Sequence, residues 1–127
     1  MNLEDLLTGK ENLMIRFLKL TEEALEKMEQ KKEEDLPLIM DKRDKLIEEM
    51  KKIESELAKL DIKSEKQGIR IKELKARILT ENQYLQERMV ETFAELKENI
   101  GNNKKAIKVN KAYQGYAGQS LYLNKKN

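Results

Sequence analysis

The sequence predicts an all-α fold: an antiparallel bundle of three long amphipathic helices, followed by a short C-terminal tail that is helical or extended. Three observations lead there. Charged residues make up 39% of the 127-residue chain and aromatics only 5%, with no Trp, which is too little large apolar surface for a broad globular core. Apolar residues still reach 39%, too many for a wholly disordered chain. Those apolar residues recur at spacings of three and four, the pattern of long helices packed along narrow seams.

The first helix is expected over residues 3–30. Leu3, Leu7, Met14, Phe17, Thr21, Ala24 and Met28 form its stripe, Leu6, Leu13 and Leu20 widen one edge, and Lys10 interrupts it. Asn2 can cap this helix, with Asp5 in the first turn. Thr8 and Glu11 offer a later capping box around Gly9. A glycine inside a helix costs roughly 1 kcal/mol relative to Ala, but Leu3, Leu6 and Leu7 gain from burial, which favours the earlier start.

The second helix is expected over residues 36–60. The stripe lapses between Gln30 and Glu34. Asp35 is then a candidate N-cap, and Pro37, the one proline, fits a first turn. The new stripe reads Leu36, Ile39, Met40, Leu46, Ile47, Met50, Ile53, Leu57 and Leu60. Arg43 falls on this seam and is expected to lay its stem there with its head outside.

The third helix is expected over residues 65–100, after a weaker break. Asp61 and Ser64 are capping types, Ser64 and Gln67 have capping-box spacing, and Gly68 lowers helix propensity. A single helix over 36–100 is the rival reading. The third stripe is Ile71, Leu74, Ile78, Leu85, Met89, Phe93, Leu96 and Ile100, before an αL-tolerant stop at Gly101-Asn102-Asn103. Such a helix would run ~54 Å against ~38 Å for its predecessor. Its apolar end therefore needs cover from the tail or from another chain, because exposed apolar patches mark contact surfaces. The expected partner-binding residues are accordingly Leu85, Met89, Phe93, Leu96 and Ile100.

Gly101 is also a chemical border, dividing a bundle over 1–101 from a tail over 102–127. Residues 1–100 hold all 24 acids and carry a side-chain charge of −4, whereas residues 101–127 hold six lysines, no acid and three of the four tyrosines, a charge of +6. A cationic tail is drawn to acidic helices. Ile107, Tyr113, Tyr116, Leu121 and Tyr122 are the residues expected to dock it or regulate access. Lys104–Tyr113 can form a short helix, while Gly115 and Gly118 argue for extended chain beyond it.

Composition speaks against catalysis. The chain has no His and no Cys, so Ser55, Ser64 and Ser120 lack the usual activating base, and no catalytic residue is assigned. Paired carboxylates such as Glu22–Glu26 and Glu87–Glu91–Glu95 lie beside Lys and Arg, as on a solvated helix face. No phosphate-cradling loop or metal-ligand spacing is present in the sequence, so no cofactor or metal is expected. Six lysines without arginine on an acidic body are a weak nucleic-acid footprint. No apolar run approaches the ~20 residues of a membrane span, and MNLEDLLTGKENL does not read as a secretory signal. These features predict a soluble, cytoplasmic protein. Met14, Met28, Met40, Met50 and Met89 all lie on the stripes, where methionine fills gaps or suits a surface that repacks against partners. A self-associating coiled coil, or a homodimer, is also compatible with the stripes.

Four segments carry a family resemblance: LTEEALEKME (20–29), DKRDKLIEEMKKIE (41–54), KELKARILTENQYLQERMVETFAELKENI (72–100) and KKAIKVNKAY (104–113). In order and length they resemble the small export chaperones of the bacterial flagellum, the FliT-type and FlgN-type families. The Lys-Lys-Ala-Ile-Lys tail is similar to the FliT type, and the third helix with Asn82 in TENQYL is similar to the FlgN type. The resemblance implies a cytoplasmic chaperone, not an enzyme, that holds a late flagellar subunit and hands it to the export machinery. The client would be the filament cap protein for the FliT type and a hook–filament junction protein for the FlgN type. In FliT-type chaperones the C-terminal segment is thought to cover the binding surface until a client displaces it.

Overall fold

The structure, a computed structural model, describes residues 2–62, 67–98 and 103–124. Helix α1 spans Leu3–Glu29, α2 Leu36–Lys59, α3 Ile69–Glu98 and α4 Asn103–Leu123, with a single 3-10 turn, Glu33–Asp35, leading into α2. All are helical, as expected, but there are four helices and not three. The expected short or extended tail is a 21-residue helix that runs through both Gly115 and Gly118. Its row Val109, Ala112, Tyr116 and Gln119 is buried, and that packing outweighs the low propensity of two glycines.

The helices form a square. α1 packs on α2 and α3, and α4 closes the opposite corner by packing on the same two. Cross-contacts fix the directions. Gly9 meets Ile53, so α1 and α2 are antiparallel; Glu11 pairs with Arg70 and Glu22 with Arg77, so α1 and α3 are parallel. Tyr116 meets Asn82 and Gln86, which makes α4 antiparallel to α3. α2 and α3 therefore stand at diagonal corners of the square. At Gly9 the approach is close, since an added Cβ would stand 3.2 Å from Ile53 Cδ1.

Side-chain and backbone capping explain the boundaries. Asn2 Oδ1 accepts from the Asp5 N–H at 2.8 Å, so the earlier start holds and the Thr8–Glu11 alternative goes unused. Asp35 does not cap α2 as expected. It lies in the 3-10 turn without a capping bond and pairs instead with Lys27 at 3.3 Å. The break between α2 and α3 is present, which removes the single-helix alternative. Ser64, Ile100 and the stop at Gly101-Asn102 lie outside the described residues. Gly68, at φ +100°, makes the turn into α3 in a conformation that only glycine adopts without strain.

α1 and α2 end alike. Lys32 N–H donates to the Lys27 carbonyl and Lys31 N–H to that of Met28; Ile62 N–H donates to Leu57 and Asp61 N–H to Ala58. Both are Schellman motifs, yet their left-handed positions hold Lys31 (φ 57°) and Asp61 (φ 56°) rather than glycine. A side chain there costs roughly 1–2 kcal/mol, part of which glycine returns through the entropy of the unfolded chain. Lys31→Gly and Asp61→Gly are each expected to raise unfolding stability by about 0.5–1 kcal/mol, read as a shift in the denaturant midpoint at constant slope.

Two apolar layers fill the square. One joins Leu13, Met14 and Leu18 of α1, Leu46 and Met50 of α2, and Ile71, Leu74 and Ile78 of α3. The other joins Met28, Ile39 and Met40 with Leu85 and Met89 of α3 and Val109, Ala112 and Tyr116 of α4. Thus the first layer is mainly a three-helix core, while the second is completed by α4. None of the described helices is long and apolar enough to cross a membrane.

Candidate protein-binding face of α3 and its cover, α4

The second half of α3 carries four of the five expected contact residues, Leu85, Met89, Phe93 and Leu96, and α4 lies on them. Leu85 and Met89 are fully buried in the layer containing Val109, Ala112 and Tyr116. Phe93 and Leu96 are half-buried against the same layer. The apolar end of α3 is therefore covered by the chain's own C-terminal helix.

Three polar attachments hold α4 down. At its start, Lys105 Nζ donates to the Lys31 carbonyl at 2.7 Å and sits 3.4 Å from the Glu33 carboxylate. Near its end, Gln119 Nε2 donates to the Met40 carbonyl at 2.9 Å and to Asp44 Oδ1 at 2.7 Å. At its end, the Tyr122 hydroxyl donates to Glu54 at 2.8 Å, and Lys51 lies over the Tyr122 ring. Burial, with Glu54 beside it, pushes the Tyr122 phenol above its ordinary value. Tyr113 stacks on Tyr116 with centroids 5.9 Å apart.

Not every expected docking residue docks. Ile107 is 66% exposed and Leu121 80% exposed, because both face away from the row 109, 112, 116, 119. Ile107 is the more apolar neighbour of Val109, but helical phase, counted back from Tyr116, selects Val109. Sequence reasoning missed Val109, Ala112, Gln119 and Lys105; the 3-4-3 spacing of the first two with Tyr116 and Gln119 was the available signal.

Arg43 departs furthest from expectation. Its head does not reach solvent: the residue is 0% exposed. The guanidinium lies in a layer to which all four helices contribute. It stands 4.3 Å over the Phe17 ring of α1 and 5.9 Å from the Tyr116 ring of α4. It donates through Nη2 to Asn82 Oδ1 of α3 at 2.7 Å. Asn82 Nδ2 in turn donates to the Tyr116 hydroxyl at 3.2 Å, and that hydroxyl has the Asn82 carbonyl (3.2 Å) and Gln86 Oε1 (3.3 Å) as acceptors. Arg43 Nε and Nη1 have no hydrogen-bond partner. Burial lowers the guanidinium pKa from its ordinary value to about 10, against the raising effects of Tyr116 and Asp44. α4 therefore seals an arginine into the core without a carboxylate in hydrogen-bond contact.

Lys10, the charged interruption in the first stripe, is buried as well. Its amine bonds Gln67 Oε1 and lies 3.9 Å from Glu54. Burial first, and Lys75 as well, lower its pKa while Glu54 raises it.

In chemical terms the face is one that accepts apolar helical surface, here that of α4. Leu85, Met89 and Phe93 read as i, i+4, i+8 anchors, the pattern by which one helix receives another. Comparison of the chain with protein-family models, with curated proteins and with solved structures finds no match.

Proposed function

We propose that the chain is a cytoplasmic secretion chaperone of the bacterial flagellum, which binds a late flagellar subunit through the apolar face of α3 and prevents its premature assembly. The filament cap protein is the favoured client and a hook–filament junction protein the alternative. The observation that carries this reading is that a cationic helix, α4, covers the apolar second half of α3 on its own body. Its docking face is thin: one valine, one alanine, a tyrosine and a glutamine, while Ile107 and Leu121 point away. A client helix richer in large apolar residues would bury more area on the same face, at about 25 cal/mol per Å². The resemblance to the flagellar export chaperones supplies the client class.

The test is a pull-down from lysate of a flagellated bacterium with tagged full-length protein. Recovery of a filament cap protein is expected, and recovery of a hook–filament junction protein instead would select the FlgN-type alternative. Recovery of nothing but the bait itself would overturn the chaperone reading in favour of a self-associating structural protein.

A further inference from the structure

A second apolar surface lies away from the α3 face under α4, and nothing described covers it. α3 is 30 residues long and α4 only 21, so α4 falls short of its neighbour by ~13 Å at 1.5 Å per residue. Beyond its last turn, at Tyr122 and Leu123, the lane between α2 and α3 is open. The opening is a groove of about 630 Å³. Ile62, Leu79, Tyr122 and Leu123 are partly exposed along it, above the buried Met14, Met50, Ile71 and Ile78.

Its charge is one-sided. Lys10, Lys51, Lys72 and Lys75 line the groove against a single acid, Glu54. Glu54 is already engaged, by the Tyr122 hydroxyl at 2.8 Å and by Lys10. The rim lysines come from both walls, Lys51 from α2 and Lys72 and Lys75 from α3. An occupant therefore needs an apolar face with negative charge on both flanks. The chain following α4 reads Lys125-Lys126-Asn127, which is cationic like the rim and so mismatched to it.

We propose that this groove receives an amphipathic helix of another protein, about three turns long, whose apolar face is flanked by Asp and Glu and which seats end to end with α4. A helix suits the lane because α4 already occupies its continuation, and three turns span ~16 Å. Acidic flanks pair with lysines on the two walls, and the apolar face covers the partly exposed Ile62, Leu79 and Leu123. The site is open with α4 docked, so its use does not require α4 to yield to a client.

Two synthetic helical peptides test the proposal on the full chain. Both carry the same leucine face; one is flanked by Glu, the other by Gln. In amide NMR titrations the Glu peptide is expected to shift Met50, Ser55, Ile71 and Lys75, with affinity falling as salt is added. The Gln peptide is expected to bind at least tenfold more weakly. Lys72→Glu with Lys75→Glu should remove that preference. Both positions lie in the first two turns of α3, where acids suit the helix dipole, so the fold is retained and an unchanged amide spectrum elsewhere verifies it. Equal binding of the two peptides, or shifts confined to α4 and the second half of α3, would overturn the proposal. So would the same shifts on concentrating the protein alone, which would make a second copy the occupant. Shifts with dodecanoate but with neither peptide would also overturn it and make the groove a fatty-acid site.

Discussion

Replacing Arg43 with methionine, together with Asn82→Leu, is expected to make the bundle more stable by about 2–3 kcal/mol. Burial holds the guanidinium pKa below its ordinary value, at about 10, a disfavour on the order of 3 kcal/mol for a buried cation whose Nε and Nη1 lack hydrogen-bond partners among the described residues. Arg43→Met alone removes that term but strands Asn82 Oδ1, at a cost of about 1–2 kcal/mol, and loses a cation–π contact of about 1 kcal/mol. The single variant should thus sit within about 1 kcal/mol of the native chain, and the double variant above it. Arg43→Ala instead opens a cavity where a fully buried side chain stood, and should lose about 2–4 kcal/mol. Chemical denaturation of the three variants reads all of this. A double variant less stable than the native chain would show that the guanidinium is well satisfied.

The pH dependence has a definite sign. With the folded pKa depressed below the unfolded one, the folded state sheds the proton first. The penalty is fully present below about pH 10 and is relieved as pH rises towards the ordinary arginine value, because the unfolded chain then binds more protons. The stability advantage of the double variant over the native chain should accordingly narrow above about pH 10. Taking the difference between the two proteins cancels the titration of the lysines and tyrosines they share.

Most of the helical framework could be read in the sequence. The lapse of the stripe before Pro37 marks the α1–α2 turn, and the break at Asp61–Gly68 separates α2 from α3. The helix stops themselves were hidden, because Lys31 and Asp61 occupy left-handed positions that glycine or asparagine usually announce. α4 was read as part helix, part extended chain because Gly115 and Gly118 normally end helices. In the structure Gly115 instead faces α2, where an added Cβ would stand 3.7 Å from Met40 Cβ, so a small residue suits close packing there. The error at Arg43 follows from the error at α4. In a three-helix bundle the seam is open and an arginine head can leave it; a fourth helix closes that exit. Asn82 fills the gap between Ile78 and Leu85 in the third stripe, one polar residue in an apolar row, and its partner could not be named until Arg43 was known to point inward.

Val109→Asp is expected to undock α4 while leaving α1, α2 and the first half of α3 folded. Val109 is 0% exposed among Leu85, Met89, Ala112 and Tyr116. A carboxylate there would be unpaired in an apolar layer, at several kcal/mol. Against this, the docking face offers Val109 and Ala112 with one tyrosine and one glutamine, and releasing α4 also frees Arg43 to solvent. The layer built from Leu13, Met14, Leu46, Met50, Leu74 and Ile78 receives from α4 only the flanking Tyr122 and Leu123, so it should persist. Hydrogen exchange should show α4 amides losing protection while those near Phe17, Leu46 and Leu74 keep theirs. On the chaperone reading the variant should also bind the client recovered by pull-down about tenfold or more tightly, because the competent state no longer competes with a docked α4. The Arg43→Met, Asn82→Leu protein should bind it more weakly, since its closed state is more stable. Opposite shifts in client affinity from two variants altered on either side of one helix interface would be difficult to obtain from surface effects alone. Loss of protection throughout the chain would make α4 an integral member of the bundle and remove its role as a displaceable cover.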